Sequence, residues 1–164
     1  MLKLAHYTCA FAFTALSLAA QSVPATQSIQ TTGMIGLAEG QTARLNLLNP
    51  GVPAPALGVV CTAGVAFLDD QGNVLKSKTA TVLPGTSAPL DLDSHADLNL
   101  ATDERREIRA VIKIPPVLPP AGSTISTCKL IHTLEIFDNI SHRTQAILAP
   151  AVTISVSVPA TTTP

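Results

Sequence analysis

GVVCTAGVAFLDDQGNVLKSKTATVLPG, residues 58–85, reads as a strand, a tight turn and a returning strand. Every second residue from Val59 to Phe67 (Val59, Cys61, Ala63, Val65, Phe67) is apolar, the period of a strand with one buried face. Asp69-Asp70-Gln71-Gly72-Asn73 then supplies turn chemistry: side chains that bond their own backbone, and a glycine free to take positive φ. The return strand, 74–83, runs into Pro84-Gly85, a second turn signal.

The same pattern extends outward in both directions. TTGMIGLA (31–38) reads as a first strand weakened by its two glycines. TARLNLL (42–48) sets Ala43, Leu45 and Leu47 against Thr42, Arg44 and Asn46, a half-buried strand stopped by Asn49-Pro50-Gly51. SAPLDLD (87–93) alternates through Ala88, Leu90 and Leu92, with Pro89 marking an edge. In IRAVIKI (108–114), Ile108, Ala110, Ile112 and Ile114 share a face; β-branched composition and Pro115-Pro116 favour a strand over a helix begun near Asp103. CKLIHTLEIF (128–137) and 144–154 complete the set, with 94–107 a long polar connection. Seven or eight short strands between turn-rich breaks predict an all-β fold: an Ig-like antiparallel β-sandwich over 31–154, with a closed β-barrel as the alternative.

Outside that domain the composition changes. Lys3 followed by AFAFTALSLAA (10–20) has the form of a secretory signal, cleaved after Ala19 or Ala20; His6, Tyr7 and Thr8 interrupt the run too early for a membrane anchor. Cys9 lacks the flanks of a lipid-attachment site. Residues 21–30 read as a flexible leader and 155–164 as a disordered Thr/Pro tail. Loss of Lys3 takes the formal charge from −1 to −2, which offers no footprint for nucleic acid and no draw to a membrane surface. Of the aromatics only Phe67 and Phe137 stay, so the interior is aliphatic and stacking platforms for sugars are scarce. Cys61 and Cys128, 67 positions apart and without a CxxC, fit a structural disulfide in an oxidising compartment, secreted or periplasmic, sooner than a redox or metal site.

Candidate chemistry is sparse. HExxH, GxSxG, GxxxxGK[ST] and GxGxxG do not occur. DLDSHADLNLATDE (91–104) is the richest polar stretch, and Asp91, Asp93, Asp97, Asn99 and Asp103 are hard oxygen donors suited to calcium. A calcium loop of the EF-hand type wants glycine sixth and a bidentate acid twelfth, where this stretch has Ala96 and Thr102. His95, beside Ser94 and these aspartates, suggests a hydrolase or metal-dependent enzyme built on Asp91, Asp93, His95 and Asp97. The plainer reading is a strand with a solvated acidic face running into a loop. His132 falls on the face of Leu130 and Leu134 as a half-buried residue, and His142 lies in a turn. Asn139-Ile140-Ser141 has the form of an N-glycosylation acceptor. Arg105, Arg106, Arg109 and Lys113 interleave with Glu104 and Glu107 as a salt-bridged face.

LNLLNPG (45–51), VAFLDDQGNVL (65–75), TVLPGTSAPLDL (81–92) and REIRAVIKI (106–114) together resemble bacterial secreted Ig-like modules of the cell-adhesion-related, CARDB kind. The resemblance spans 39–114; the cysteine pair, the proline-rich loop before Cys128 and the hairpin after it are additions. It implies a non-catalytic extracytoplasmic role and carries over no site residues. The expectation is therefore a module without cofactor that meets a protein or cell-envelope partner, through its sheet edges or the loops 51–58 and 115–127.

Overall fold

A computed structural model describes residues 25–51, 59–116, 128–148 and 152–158. The signal over 1–20, most of the two proline-rich loops and the last residues of the tail lie outside the described residues. Ten strands follow in order: β1 Ala25–Thr31, β2 Ile35–Ala38, β3 Gln41–Leu48, β4 Cys61–Asp69, β5 Val74–Val82, β6 Ser87–Asp93, β7 Arg105–Ile114, β8 Ile131–Asp138, β9 Thr144–Leu148 and β10 Val152–Val158. A six-stranded sheet runs β10-β1-β7-β4-β5, with β2 on the other half of β7, and a four-stranded sheet runs β6-β3-β8-β9. Every pairing is antiparallel. The two sheets stay separate, so the fold is a sandwich and not a closed barrel. Among the described residues no helix is long and apolar enough to cross a membrane.

Two expectations at the chain's ends are corrected. Ala25–Thr31, read as part of a flexible leader, and Val152–Val158, read partly as tail, are strands paired to each other along seven residues. Ala25–Thr31 has one large apolar residue, Ile29, so its partners' ladders and not a hydrophobic pattern make it a strand. Val152–Val158 alternates Val152, Ile154, Val156 and Val158 with Thr153, Ser155 and Ser157, a strand pattern that the reading of 155–164 as a tail passed over. The single last strand expected over 144–154 is two strands, β9 and β10, belonging to different sheets.

β1 and β2 act as one bulged strand along β7. Thr31 faces Val111 and Ile35 faces Ile108, so four steps on one side match three on the other. Thr32 repairs the ladder: its amide donates to Ala110 O at 3.0 Å, and its Oγ1 accepts from Ala110 N at 2.9 Å.

The alternating apolar residues meet between the sheets. Leu37, Ala43, Leu45, Leu47, Val65, Phe67, Leu92, Ile108, Ile112, Leu134 and Ile136 are buried together. Cys61, opening β4, is bonded to Cys128, just before β8, with Cα atoms 5.4 Å apart; the bridge joins the two sheets. Asn49 closes the same end. Its Nδ2 donates to Val59 O (2.8 Å) and Val82 O (3.1 Å), and its backbone bonds Thr86 O and receives Gly85 N. The Asn-x-Gly and Pro-Gly signals of the sequence are thus two halves of one clasp.

One lateral opening lies between edge strands β5 and β6. Lys76 and Lys78 share the inward face of β5 with Ala80 and Val82, and reach across. Lys76 Nζ meets Asp97 Oδ2 at 2.6 Å and Lys78 Nζ donates to Pro89 O. Inward-pointing lysines and a proline are devices that keep such edges from pairing with other chains.

Candidate functional site

Three strands end in an aspartate whose carboxylate folds back on the next turn. Asp69, ending β4, accepts from Gln71 N (3.0 Å), Asn73 N (2.7 Å) and Asn73 Nδ2 (2.9 Å). Asp138, ending β8, accepts from Ile140 N (3.1 Å) and Ser141 N (2.6 Å). Asp93, ending β6, accepts from His95 N (2.9 Å) and Ala96 N (2.7 Å) on one oxygen, and from Thr42 Oγ1 (3.1 Å) and Asn139 Nδ2 (3.0 Å) on the other. The donors hold all three acids below the usual carboxylate range: chiefly the Asn73 side chain at Asp69, the Ala96 amide at Asp93 and the Ser141 amide at Asp138.

The rest of the acidic stretch is similarly engaged. Asp91 takes a two-pronged pair from Arg44, Nε at 2.8 Å and Nη2 at 2.7 Å. Asp97 receives Lys76 at 2.6 Å and Asp93 N at 2.8 Å. Ser94 is fully enclosed, its Oγ accepting from Gln41 N at 3.1 Å, while His95 beside it is exposed. Asn99 and Asp103 take positive φ in the connection to β7. Among the described residues no three His, Cys, Asp or Glu side chains are placed to hold a metal ion. His132 faces Leu47 and Asp93 faces Thr42 on β3, five residues apart, so His132 lies about 17 Å along the sheet from the His95 end. Asn139 of the glycosylation pattern has its amide in use: Nδ2 donates to Asp93 Oδ2, and Oδ1 lies 2.6 Å from Thr42 Oγ1, whose single proton it shares with Asp93.

On the outer face of the four-stranded sheet, Asp91, Arg44, Glu135 and Ile147 stand in one row across β6, β3, β8 and β9. The Arg44 guanidinium lies 5.1 Å from the centre of the Phe137 ring, so one face of this outward aromatic is already covered. Arg44, Glu135, Phe137 and His142 line a shallow depression of about 370 Å³. The hydrogen bond to Asp91 pushes the Arg44 pKa above its ordinary value.

The outer face of the six-stranded sheet is different. A groove of about 420 Å³ runs over Gly64, Ala66, Leu68, Val74 and Val111, rimmed by Ser77, Thr79 and Lys113. Gly64 sits mid-strand in β4 without positive φ, and a Cβ there would meet nothing nearer than Lys113 O at 3.9 Å. Glycine in a strand interior is unfavourable by roughly 0.5–1 kcal/mol relative to alanine. Neither the backbone nor the packing of this chain requires it. The sequence held a signal for this face: Val60, Thr62, Gly64, Ala66 and Leu68, the second face of β4, carry no charge.

The basic cluster divides between faces. Arg105 pairs Glu107 at 2.7 Å and Arg106 pairs Glu104 at 3.6 Å, as expected. Arg109 and Lys113 have no ion-pair partner among the described residues.

His132 is a core residue, 1 % exposed, and neither ring nitrogen finds a hydrogen-bond partner among the described residues. Burial pushes its pKa below the ordinary 6.5. Below that pH the unfolded chain takes up a proton that the folded chain refuses, so stability is lost as pH falls from 6.5 toward the depressed value. The aspartates act in a separate window beneath 3.8. A His132→Met variant should therefore melt at nearly constant temperature between about pH 5 and 7, where the parent's midpoint declines with acid. An unchanged slope in the variant would assign the effect elsewhere.

No family model, curated protein or solved structure matches the chain.

Proposed function

We propose that this chain is an exported β-sandwich that acts by contact, as a structural, adhesion or protein-binding module similar to the CARDB kind, and catalyses no reaction. The observation that carries this reading is the groove on the outer face of the six-stranded sheet, where a central strand has glycine that the fold does not use. A missing side chain in a strand suits the close approach of another backbone or ligand. The cross-sheet disulfide suits a secreted or periplasmic setting. The acids that could have served a hydrolase or a metal are engaged in turns and ion pairs.

The test is capture from a cell-envelope extract on the immobilised protein, beside an Ala66→Lys variant that fills the groove. A partner retained by the parent and lost by the variant is the expected result. Equal retention on both, or none on either, counts against the reading.

A further inference from the structure

We propose that the groove over Gly64 receives a second copy of this chain, which presents the outer face of its four-stranded sheet. Ile147 of one copy enters the groove and Glu135 beside it reaches Lys113 of the other. The inference rests on the contact reading above and names its partner.

Charge is the first argument. On the outer face of the six-stranded sheet Arg105 and Glu107 pair with each other, leaving Arg109 and Lys113 without acidic partners among the described residues. On the outer face of the four-stranded sheet Arg44 pairs with Asp91 and the donors of its turn occupy Asp93, leaving Glu135 without an ion-pair partner among the described residues. One face thus has two cations to spare and the other the Glu135 carboxylate.

Shape is the second. Ile147 is 65 % exposed at the sheet's edge strand β9 and lies directly across the ladder from Glu135. An aliphatic knob and a carboxylate, side by side, match a low floor at Gly64 and Ala66 with an ammonium at its rim. Both halves of the match are on one chain, which favours a second copy over an unrelated acidic protein.

The geometry sets the strength and the form. A face four strands wide and six residues long is about 19 by 20 Å. That falls short of the ~800 Å² per partner of a stable complex, so the contact is weak and salt-sensitive. The two faces differ, so copies join head to tail into open rows and do not close as a two-fold pair.

Sedimentation velocity of the purified protein across a concentration series tests this. At low ionic strength the mean sedimentation coefficient should rise with concentration, and about 1 M salt should return it to the monomer value. Ala66→Lys and Ile147→Asp should each abolish the rise. Lys113→Glu alone and Glu135→Lys alone should each weaken association about ten-fold. An equimolar mixture of those two single variants should recover it, because each then offers the charge the other lacks. Gly64→Thr should abolish association while raising the monomer's melting temperature, a combination that a purely structural glycine would not give.

A monomer at every concentration in low salt overturns the proposal, as does association indifferent to Ala66→Lys and Ile147→Asp, or a charge-swapped mixture that stays apart. A strictly monomeric protein whose envelope capture is still lost on Ala66→Lys removes the second copy as partner and leaves the contact reading standing.

Discussion

Replacing both Cys61 and Cys128 with alanine should lower the melting temperature by roughly 12–16 °C. The bond closes a loop of 67 residues between the two sheets. Without it the unfolded chain regains the freedom of that loop, about 4 kcal/mol on the chain-entropy argument. At about 3–4 °C per kcal/mol for a domain of this size, that gives the stated shift. Cys61 is buried beside Val82, so alanine is the proper replacement; serine would add the cost of a buried hydroxyl. Thermal melts of the parent with and without reductant should reproduce the difference. A parent indifferent to reductant would mean the link contributes nothing.

Phe67→Ala should cost about 3–5 kcal/mol, and Phe67→Leu about 1 kcal/mol. Phe67 is fully buried two residues from the end of β4 and is the largest side chain in the core. It stands across the β4–β7 ladder from Ala110, and Ala63 lines the same buried face. A large ring opposite the short Ala110 fills volume that this neighbour cannot reach by shifting, so the alanine variant leaves a cavity instead of collapsing. Chemical denaturation of the two variants measures the difference directly. A loss below about 1 kcal/mol for alanine would show that the sheets close over the gap. The bridge and this ring together account for a large share of the 5–15 kcal/mol typical of a whole domain. A triple variant lacking both should not fold.

The acidic stretch shows how an active-site reading can arise from turn chemistry. The sequence reads Asp69 as a turn residue because Gly72 and Asn73 follow it, and the structure agrees. Asp93 plays the same part, bonding the amides of His95 and Ala96, yet no glycine follows to announce it. Asn99 takes the positive φ instead, six residues on. Ser94 and His95 are neighbours in sequence but opposites in environment: one side chain is sealed under the sheet end and the other stands in water. Both lie in the turn that follows β6, where the Ser94 hydroxyl is tied to Gln41 N, and that keeps them from working as a pair.

What the sequence by itself determined is what depends on near neighbours. Period-two alternation marked β3 through β8, and Pro and Gly marked their ends, because both effects act within a few residues. The pairing of Cys61 with Cys128 was legible too, since the two cysteines outside the expected signal have one way to pair. Tertiary structure alone decided the rest. It made a strand of Ala25–Thr31, whose mostly polar sequence needed the ladders of its partners to hold it. It assigned β9 and β10 to different sheets. It also set β4 between β5 and β7, and so placed Gly64 on the floor of an outer groove between them. Those are choices among distant segments, and their energy lies in contacts that no local window contains.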